Sequence, residues 1–522
     1  MVFSFDENSH LYFRGTIFPT ILTHSHPTGE YLMTMSDWKP VIGLEIHAEL
    51  MTKSKMFSAC PVVDSVEAAP NTAVDPLSLG LPGTLPVVNE QAIQFGMMVG
   101  LALNCEIPAI NQFARKSYFY PDLPKGYQIS QYDRPLAING YVDIQVTPEK
   151  GETYTKRIRI RRAHLEEDTG KLTHVVSGSL VDYNRAGVPL LEIVTEPDVN
   201  SAEEAEAFGR KLRAILQYLG VNNGDMSKGV LRMEPNISVM HKDDTGYRER
   251  TEVKNLNSIR NVFRAIKAET ERQVKLWESG DSVKRATLGW DEGKQKVVIQ
   301  RYKESADEYR YFPEPDLPIV EISRESVEKV RAALPELPDA KRERFVKVFG
   351  LSQYDASVLG LDKTVAAYYE EVVAAGANAK SVANWIIGSL FSVMNTAGFD
   401  REQIGQTKVT AAKLAELVKL VDAGTINKGT GLDVLNEMWT TGADAAKIVQ
   451  DRGLAQVSDT GAISAIVAEV LTANDAMVQR YLGGEEKLFG ALVGMCMKAL
   501  KGKGNPAVVN NLLKEQLAAK KS

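Results

Sequence analysis

One short run, Val41-Ile42-Gly43-Leu44-Glu45-Ile46-His47-Ala48-Glu49-Leu50, holds residue types that can do chemistry at a telling spacing. It alternates. Ile42, Leu44, Ile46 and Leu50 fall on one face of a strand, and Glu45, His47 and Glu49 on the other. Same-face neighbours on a strand stand about 7 Å apart, near enough for two side chains to share one cation. Two carboxylates flanking an imidazole on a polar strand face point to a metal site. A half-buried strand with a solvated outer face is the plainer alternative.

Four further segments embed acids in strand-like alternation. His164-Leu165-Glu166-Glu167-Asp168-Thr169-Gly170-Lys171 sets three acids in a row before a turn. Pro189 to Pro197 is an apolar strand with Glu192 in its middle, where a carboxylate is costly unless paired or bound to a cation, so Glu192 is the strongest single ligand candidate. Arg232 to Val239 alternates Arg232, Glu234, Asn236 and Ser238 with Met233, Pro235, Ile237 and Val239, and Thr251 to Asn257 puts Glu252 and Lys254 on one face. Glu-rich faces with one His and few Cys favour a hard, oxygen-liking cation, Mg²⁺ before others. Lys116, Arg162, Lys228, Arg232 and Lys254 would then face nucleotide phosphates. Any one segment reads equally well as a structural salt bridge; five in one region favour the cation.

The elements that must position these groups occupy the first three-fifths of the chain. From about 38 to 322 the sequence is strand-rich and punctuated by Gly and Pro, with helices over Glu90 to Leu103, Ser201 to Leu219 and Asn257 to Ser279. Ser201 and Glu204 have the spacing of a capping box. Tyr311 to Pro318, with three prolines, should run extended and rigid. After about 323 the pattern turns helical, over Ser326 to Leu334, Asp339 to Val348, Lys363 to Ala375, Ser381 to Met394 and Ala411 to Ala423. A break near Asp451 to Thr460 precedes three more helical segments. The class is therefore α+β, and 522 residues suit about three domains.

The bulk numbers exclude several classes. A net charge of −6 is not that of a chain coated in basic groups. Cys60, Cys105 and Cys496 are few, odd in number and far apart, which fits a reducing, cytoplasmic setting without a disulfide framework. No apolar run reaches the ~18 residues of a membrane span. No P-loop and no G-x-G-x-x-G is present, and no cysteine has the local setting of a glutaminase nucleophile. Residues 1–36 fit neither a signal peptide nor a transit peptide, and read as a disordered leader or an upstream start.

At these residues the chain closely resembles the B-subunit family of the tRNA-dependent amidotransferases, from about Trp38 to the C-terminus. The carrying motifs are Val41 to Leu50, Leu81 to Asn89 (Leu-Pro-Gly-Thr-Leu-Pro-Val-Val-Asn), Arg115 to Gln131, His164 to Lys171, Asp182 to Asp198 and Glu252 to Ser258. The resemblance implies a strand-rich cradle, here 37–322, then an all-α domain, 323–452, and a small all-α tail, 459–522. It implies that the cradle uses ATP and Mg²⁺ to phosphorylate the side-chain carboxylate of Glu-tRNA(Gln), Asp-tRNA(Asn) or both. Ammonia from a glutaminase A subunit would then attack, with a C subunit completing a heterotrimer. Acid faces and family pattern together nominate Glu45, Glu167, Glu192 and Glu252 as catalytic, and Glu45, His47, Glu167, Glu192, Glu234 and Glu252 as metal ligands, with Glu167 preferred to Glu166. Lys116, Arg232, Lys254 and Asn255 are nominated for the nucleotide. Some relatives carry cysteine pairs that can hold zinc. Here only Cys60 remains, and Asp75-Pro76-Leu77-Ser78 stands where the second pair would be, so no zinc is expected.

Residues 480–522 hold eight basic and three acidic residues, a local charge of +5. A solvated helix end explains this by itself; the resemblance makes it a tRNA-binding surface. A non-catalytic tRNA-binding scaffold, its acids merely forming ion pairs, is the competing function.

Overall fold

The computed structural model describes residues 37–302, 309–456, 460–500 and 504–521. The leader expected over 1–36 lies outside them.

The alternation of the first strand sets the architecture. Strand Trp38–Glu49 buries its apolar residues on one side and lies inside an eight-stranded sheet. Across the sheet the order is Lys296–Tyr302, Ala286–Asp291, Thr251–Lys254, Leu231–His241, Trp38–Glu49, Pro189–Thr195, Tyr154–Glu167 and Ala137–Val146. Thr251–Lys254 and Ala286–Asp291 run parallel, and the other neighbours antiparallel.

Helices Ala202–Leu219 and Ile259–Glu278 cover the dry face. Phe208, Leu212, Val262 and Ile266 join Ile42, Leu44, Ile46, Ile193 and Met233 in one buried cluster. Each such side chain contributes roughly 1.5–3 kcal/mol on leaving water. Gly209 lets helix and sheet approach, since a Cβ there would meet Met233 Cε at 2.8 Å. Ser201 caps the first of these helices by accepting from Glu204 N at 3.1 Å, but the box is not closed as expected. Glu204 instead accepts from Asn200 N at 2.6 Å, with Lys156 Nζ at 2.6 Å and Tyr154 OH at 2.9 Å on the same carboxylate. The carboxylate is thus shared among Asn200 N, the lysine and the tyrosine rather than closing on the cap residue.

Of Tyr311 to Pro318, expected to run extended throughout, only Phe312–Pro313 forms a strand; Pro315 and Asp316 make a turn and Leu317 a bend, because the fixed φ of proline suits a turn as well as a strand. Phe312–Pro313 pairs with Ala114–Arg115, and Arg115 grips the buried Glu314 through Nε at 2.7 Å and Nη2 at 2.8 Å. Helix Arg324–Ala332, read as the start of the helical region, buries Val327 in the sheet's cluster. A second cluster begins at Phe345 and spans helices from Pro338–Phe349 to Ala445–Asp451. Tyr218 belongs to it, and its hydroxyl donates to Gly360 O at 2.7 Å, tying sheet and helical regions together.

The helix expected over Ser381 to Met394 is interrupted by a π-helical turn, Trp385–Leu390. A third cluster, including Ile463, Val467, Leu492, Cys496, Val509 and Leu513, unites four helices rather than the expected three: Thr460–Ala473, Asp475–Leu482, Leu488–Ala499 and Pro506–Lys521. The first two meet at 89° with only Asn474 between them, a break composition does not announce. Among the described residues no single helix is long and apolar enough to cross a membrane.

Candidate active site

Antiparallel pairing brings distant residues into rows on the sheet's polar face. His47 lies opposite Glu192 on one side and Arg232 on the other, and Glu192 lies opposite His164. Two residues back along the first strand, Glu45 lies opposite Glu234, and in the next row Asn236 lies opposite Glu252. Two clusters result. Ligand atoms of His47, Glu166 and Glu192 lie within 4.8 Å of one another, as do those of Glu45, Glu234 and Glu252.

In the first cluster His47 Nε2 stands 3.5 Å from Glu192 Oε2 and 3.9 Å from Glu166 Oε1. His164 Nε2 approaches the same two carboxylates at 3.5 and 3.8 Å, and Ser130 Oγ donates to Glu166 Oε2 at 3.0 Å. Burial opposes charge on His47, but the hydrogen bond to Glu192 and the negative charges of Glu192 and Glu234 together outweigh it and lift the imidazole to about 9. Burial takes His164 the other way, to about 3, with Arg162 and Lys116 adding to it. Against its own burial, Glu192 is held well below the carboxylate range by His164, His47 and Lys116. Glu166 is pushed up by burial and by Glu192. Without a cation, the cluster thus holds a proton between His47 and Glu192. The Nδ1 atoms of His47 and His164 are buried without a hydrogen-bond partner among the described residues.

Glu167, expected as a ligand, is not part of this cluster. Its carboxylate pairs with Lys125 and accepts from Ile129 N at 2.9 Å. The physical reason is a register shift in strand Tyr154–Glu167: Ile160 pairs with Thr195 and Arg162 with Val194, leaving Arg161 as an extra residue. Before the shift the odd-numbered Arg157 and Arg159 face away from buried Ile158 and Ile160. After it the even-numbered Arg162, His164 and Glu166 take the polar face. A β-bulge reverses parity in this way and re-aims side chains. Glu166 therefore occupies the place expected of Glu167.

In the second cluster Lys254 Nζ sits 2.5 Å from Glu234 Oε2 and 3.1 Å from Glu252 Oε1, while Asn236 Nδ2 donates to Glu45 Oε1 at 3.1 Å. Burial, then Glu192 and Glu252, raise Glu45 above the ordinary carboxylate range. Lys254, near the three acids, is held strongly protonated against its burial by Glu234 and Glu252. Asn255 follows in the left-handed region at φ 62°, exposed, and no side-chain hydrogen bond ties it to the acids among the described residues.

Arg232 donates to Asp168 Oδ2 at 2.9 Å, and Arg185 approaches the same oxygen at 3.6 Å. Arg185 and Arg232 keep Asp168 at about 2 despite burial, while burial and Asp168 push neighbouring Glu49 up to about 8. Glu49 therefore carries the proton of that pair. Lys116 has no carboxylate within ion-pair distance among the described residues; its Nζ lies 5.1 Å from the centre of the Tyr309 ring. Its charge is favoured, against burial, by Glu166, Tyr311 and Glu192. Lys228 is elsewhere, paired with Asp64 at 2.7 Å and Glu67 at 3.2 Å on the surface.

A cavity of about 390 Å³ opens beside the clusters, lined by Glu45, Glu192, Tyr132, Asp133, Arg161 and Arg162. A second, of about 210 Å³, continues from Glu45 and Arg161 toward Asn236, Tyr247 and Arg250. The donor set suits a hard cation: three carboxylates in one cluster, two with an imidazole in the other. Sequence reasoning ranked Glu166 second to Glu167 and left out His164, although both stand in the acidic motif, and it left out Tyr132 and Tyr311, which carry no motif signal. Near Cys60 the neighbours are Ser58, whose Oγ accepts from Cys60 N at 3.3 Å, and Asp75, which bonds Ser58.

In the tail, Arg480 is already paired with Glu485 at 2.7 Å, so it adds less to a basic surface than expected. Lys501 and Lys503 lie outside the described residues.

Residues 40–328 match the family described as the GatB/GatE catalytic domain, and residues 367–517 the family described as the GatB domain. The chain is similar to the B subunit of the aspartyl/glutamyl-tRNA(Asn/Gln) amidotransferase of Caldicellulosiruptor saccharolyticus, at 47% identity over 92% of this chain and 99% of that protein. It is 49% identical to the corresponding protein of Moorella thermoacetica, over 92% of this chain and 100% of the relative. With the counterpart of the same name from Geobacter sulfurreducens it shares 47% identity over 92% of this chain and 99% of the relative.

Proposed function

This chain belongs to the B-subunit family of the tRNA-dependent amidotransferases, and from that premise we propose that it activates and amidates the side-chain carboxylate of misacylated Glu-tRNA(Gln), Asp-tRNA(Asn) or both. The observation carrying the reading is the pair of acid clusters on one polar sheet face, beside Lys116 and an open cavity. ATP is the phosphoryl donor, and the enzyme class is a carbon–nitrogen ligase taking its nitrogen from glutamine.

A carboxylate resists ammonia because it lacks a leaving group. One of its oxygens attacks the γ-phosphorus of ATP, the bond to the bridging oxygen breaks, and ADP departs. Ammonia then attacks the acyl carbon, the carbon–oxygen bond to phosphate breaks, and a proton leaves nitrogen for solvent. Mg²⁺, when bound, offsets phosphate charge and aligns the transfer. Glu166, Glu192 and His47 would hold one cation, and Glu45, Glu234 and Glu252 a second. Glu166 replaces Glu167 in this assignment. For His47 to act as a ligand, the proton on Nε2 must leave. Lys116 and Arg162 then face phosphate oxygens, and Lys254 balances the second acid set until a cation does.

The three hydrophobic clusters support a cradle, a helical domain and a tRNA-binding tail over 459–522, but they favour a first boundary just before helix Pro338–Phe349 rather than at 322, because Val327 of the preceding helix packs in the sheet's cluster. The partners are the A subunit, as glutaminase and ammonia source, and the C subunit, in a cytoplasmic heterotrimer.

The test is ATP cleavage by the purified complex. It should require Mg²⁺ and rise with misacylated tRNA, and ammonium ions should replace glutamine. The isolated chain should form no amide from glutamine. A complex with an active glutaminase but no tRNA-stimulated ATP cleavage would establish the scaffold reading instead.

A further inference from the structure

Two tyrosines beside the acid clusters have no part in the chemistry just described. The rings of Tyr132 and Tyr311 stack at 4.2 Å with an interplanar angle of 10°. Tyr132 is 45% exposed and lines the same cavity as Glu45 and Glu192. Arg162 lies 5.9 Å from the centre of its ring, donates to Tyr132 O at 3.3 Å, and has no carboxylate partner among the described residues.

Both tyrosines stand next to anchored neighbours. Tyr311 precedes the strand Phe312–Pro313, which is paired to Ala114–Arg115 and locked by the Arg115–Glu314 fork. Tyr132 follows Gln131, whose buried Oε1 accepts from Leu136 N at 3.1 Å and Leu165 N at 3.0 Å. A pre-stacked pair of parallel rings, one of them half exposed to the cavity, costs little further entropy when a flat ligand stacks on it. The Arg162 guanidinium over the Tyr132 ring suits a nucleotide, because Arg both lies flat on π-systems and pairs with phosphate.

The proposed reaction brings two adenosines to this face, that of ATP and the 3′-terminal nucleotide bearing the amino acid. The sequence has neither a P-loop nor a G-x-G-x-x-G turn, so the nucleotides must be held by other means. We propose that the Tyr132–Tyr311 stack, flanked by Arg162, seats an adenine base, supplied either by ATP or by the terminal nucleotide of the acylated tRNA. The assignment presupposes the reaction proposed above.

Y132A, Y132F and Y311A complexes would be assayed for ATP cleavage, once against ATP at saturating misacylated tRNA and once against tRNA at saturating ATP. Loss of one aromatic–base stack should raise one KM about tenfold or more, the size typical of alanine substitutions at base-stacking residues. Y132A and Y311A should raise the same KM, and Y132F should stay near wild type. A rise for ATP identifies the nucleotide's base, confirmed by weaker binding of Mg-ATP without tRNA; a rise for tRNA identifies the terminal base. Unchanged KM values in alanine variants with wild-type thermal unfolding would overturn the assignment and leave the amidotransferase reading intact. So would a Y132F variant as impaired as Y132A. A wild-type complex without tRNA-stimulated ATP cleavage would sink the parent reading and this assignment with it.

Discussion

Replacing Glu192 by Gln keeps side-chain volume and removes one charge from the middle of the acid row. Its effect can be sized from His47. The imidazole rises from 6.5 to about 9, chiefly through Glu192. That corresponds to about 3 kcal/mol of coupling between the proton and its surroundings. A group whose basicity is raised by folding stabilises fully below its unfolded value and ceases to do so as pH rises through its folded value. Wild type should therefore lose about 3 kcal/mol of stability between pH 6.5 and 9 from this group in the absence of cation, and E192Q only a fraction of it. Relief of Glu166, which Glu192 pushes up, offsets part of the cost, so the variant should fold. Catalysis should fare worse. Loss of even an outer-shell partner of a metal ligand commonly costs 10–100-fold, so loss of a charged ligand should cost about 100-fold or more in Mg²⁺-dependent ATP cleavage. The assay is ATP cleavage by the complex with saturating misacylated tRNA over a Mg²⁺ titration, with the partner's glutamine hydrolysis as control. A wild-type rate and midpoint in E192Q would refute the placement of a cation at His47, Glu166 and Glu192.

The neighbouring glutamates should separate. E166Q should follow E192Q, whereas E167Q should leave the Mg²⁺ midpoint alone and lower stability by about 3 kcal/mol in denaturant unfolding, because it strands the buried Lys125 ammonium. Cation binding should expel the His47 proton, so Mg²⁺ affinity measured by calorimetry should rise with pH, up to about tenfold per unit, and level off above about 9. Flat affinity from pH 6.5 to 9 would contradict that. Deleting residues 459–522 should weaken tRNA binding and flatten its salt dependence without altering unfolding of the rest, since the tail has its own cluster. Equal affinity and salt slope in full-length and truncated complexes would make the basic end a solvated surface only.

The fold was legible where one physical signal dominated. Alternation identified the strands carrying Glu45, Glu192, Glu234 and Glu252, because a one-sided core demands period-two burial. Long amphipathic patterns located Ala202–Leu219 and Ile259–Glu278 to within two residues. What stayed hidden depends on contacts distant in sequence. Glu204 was spaced to close a capping box, but Lys156 and Tyr154, on a strand far upstream, reach its carboxylate. The stack of Tyr132 on Tyr311 joins residues with no shared motif.

The exchange of Glu166 for Glu167 shows the same limit at the scale of one residue. Arg157, Ile158, Arg159 and Ile160 alternate cleanly, and the same parity carried forward to residue 167 turns Glu167 to the polar face. One unpaired residue at Arg161 reverses that parity, and no local pattern marks it, since basic residues are acceptable on either side of a bulge. The reversal also puts Arg161 beside Arg162 at the cavity mouth. Their charges are not equivalent, because Arg161 is bound by Glu196 through Nε at 3.0 Å and Nη2 at 2.8 Å, whereas Arg162 has no carboxylate partner among the described residues. The bulge thus sets both which acid reaches the cluster and which guanidinium at its rim stays unneutralised.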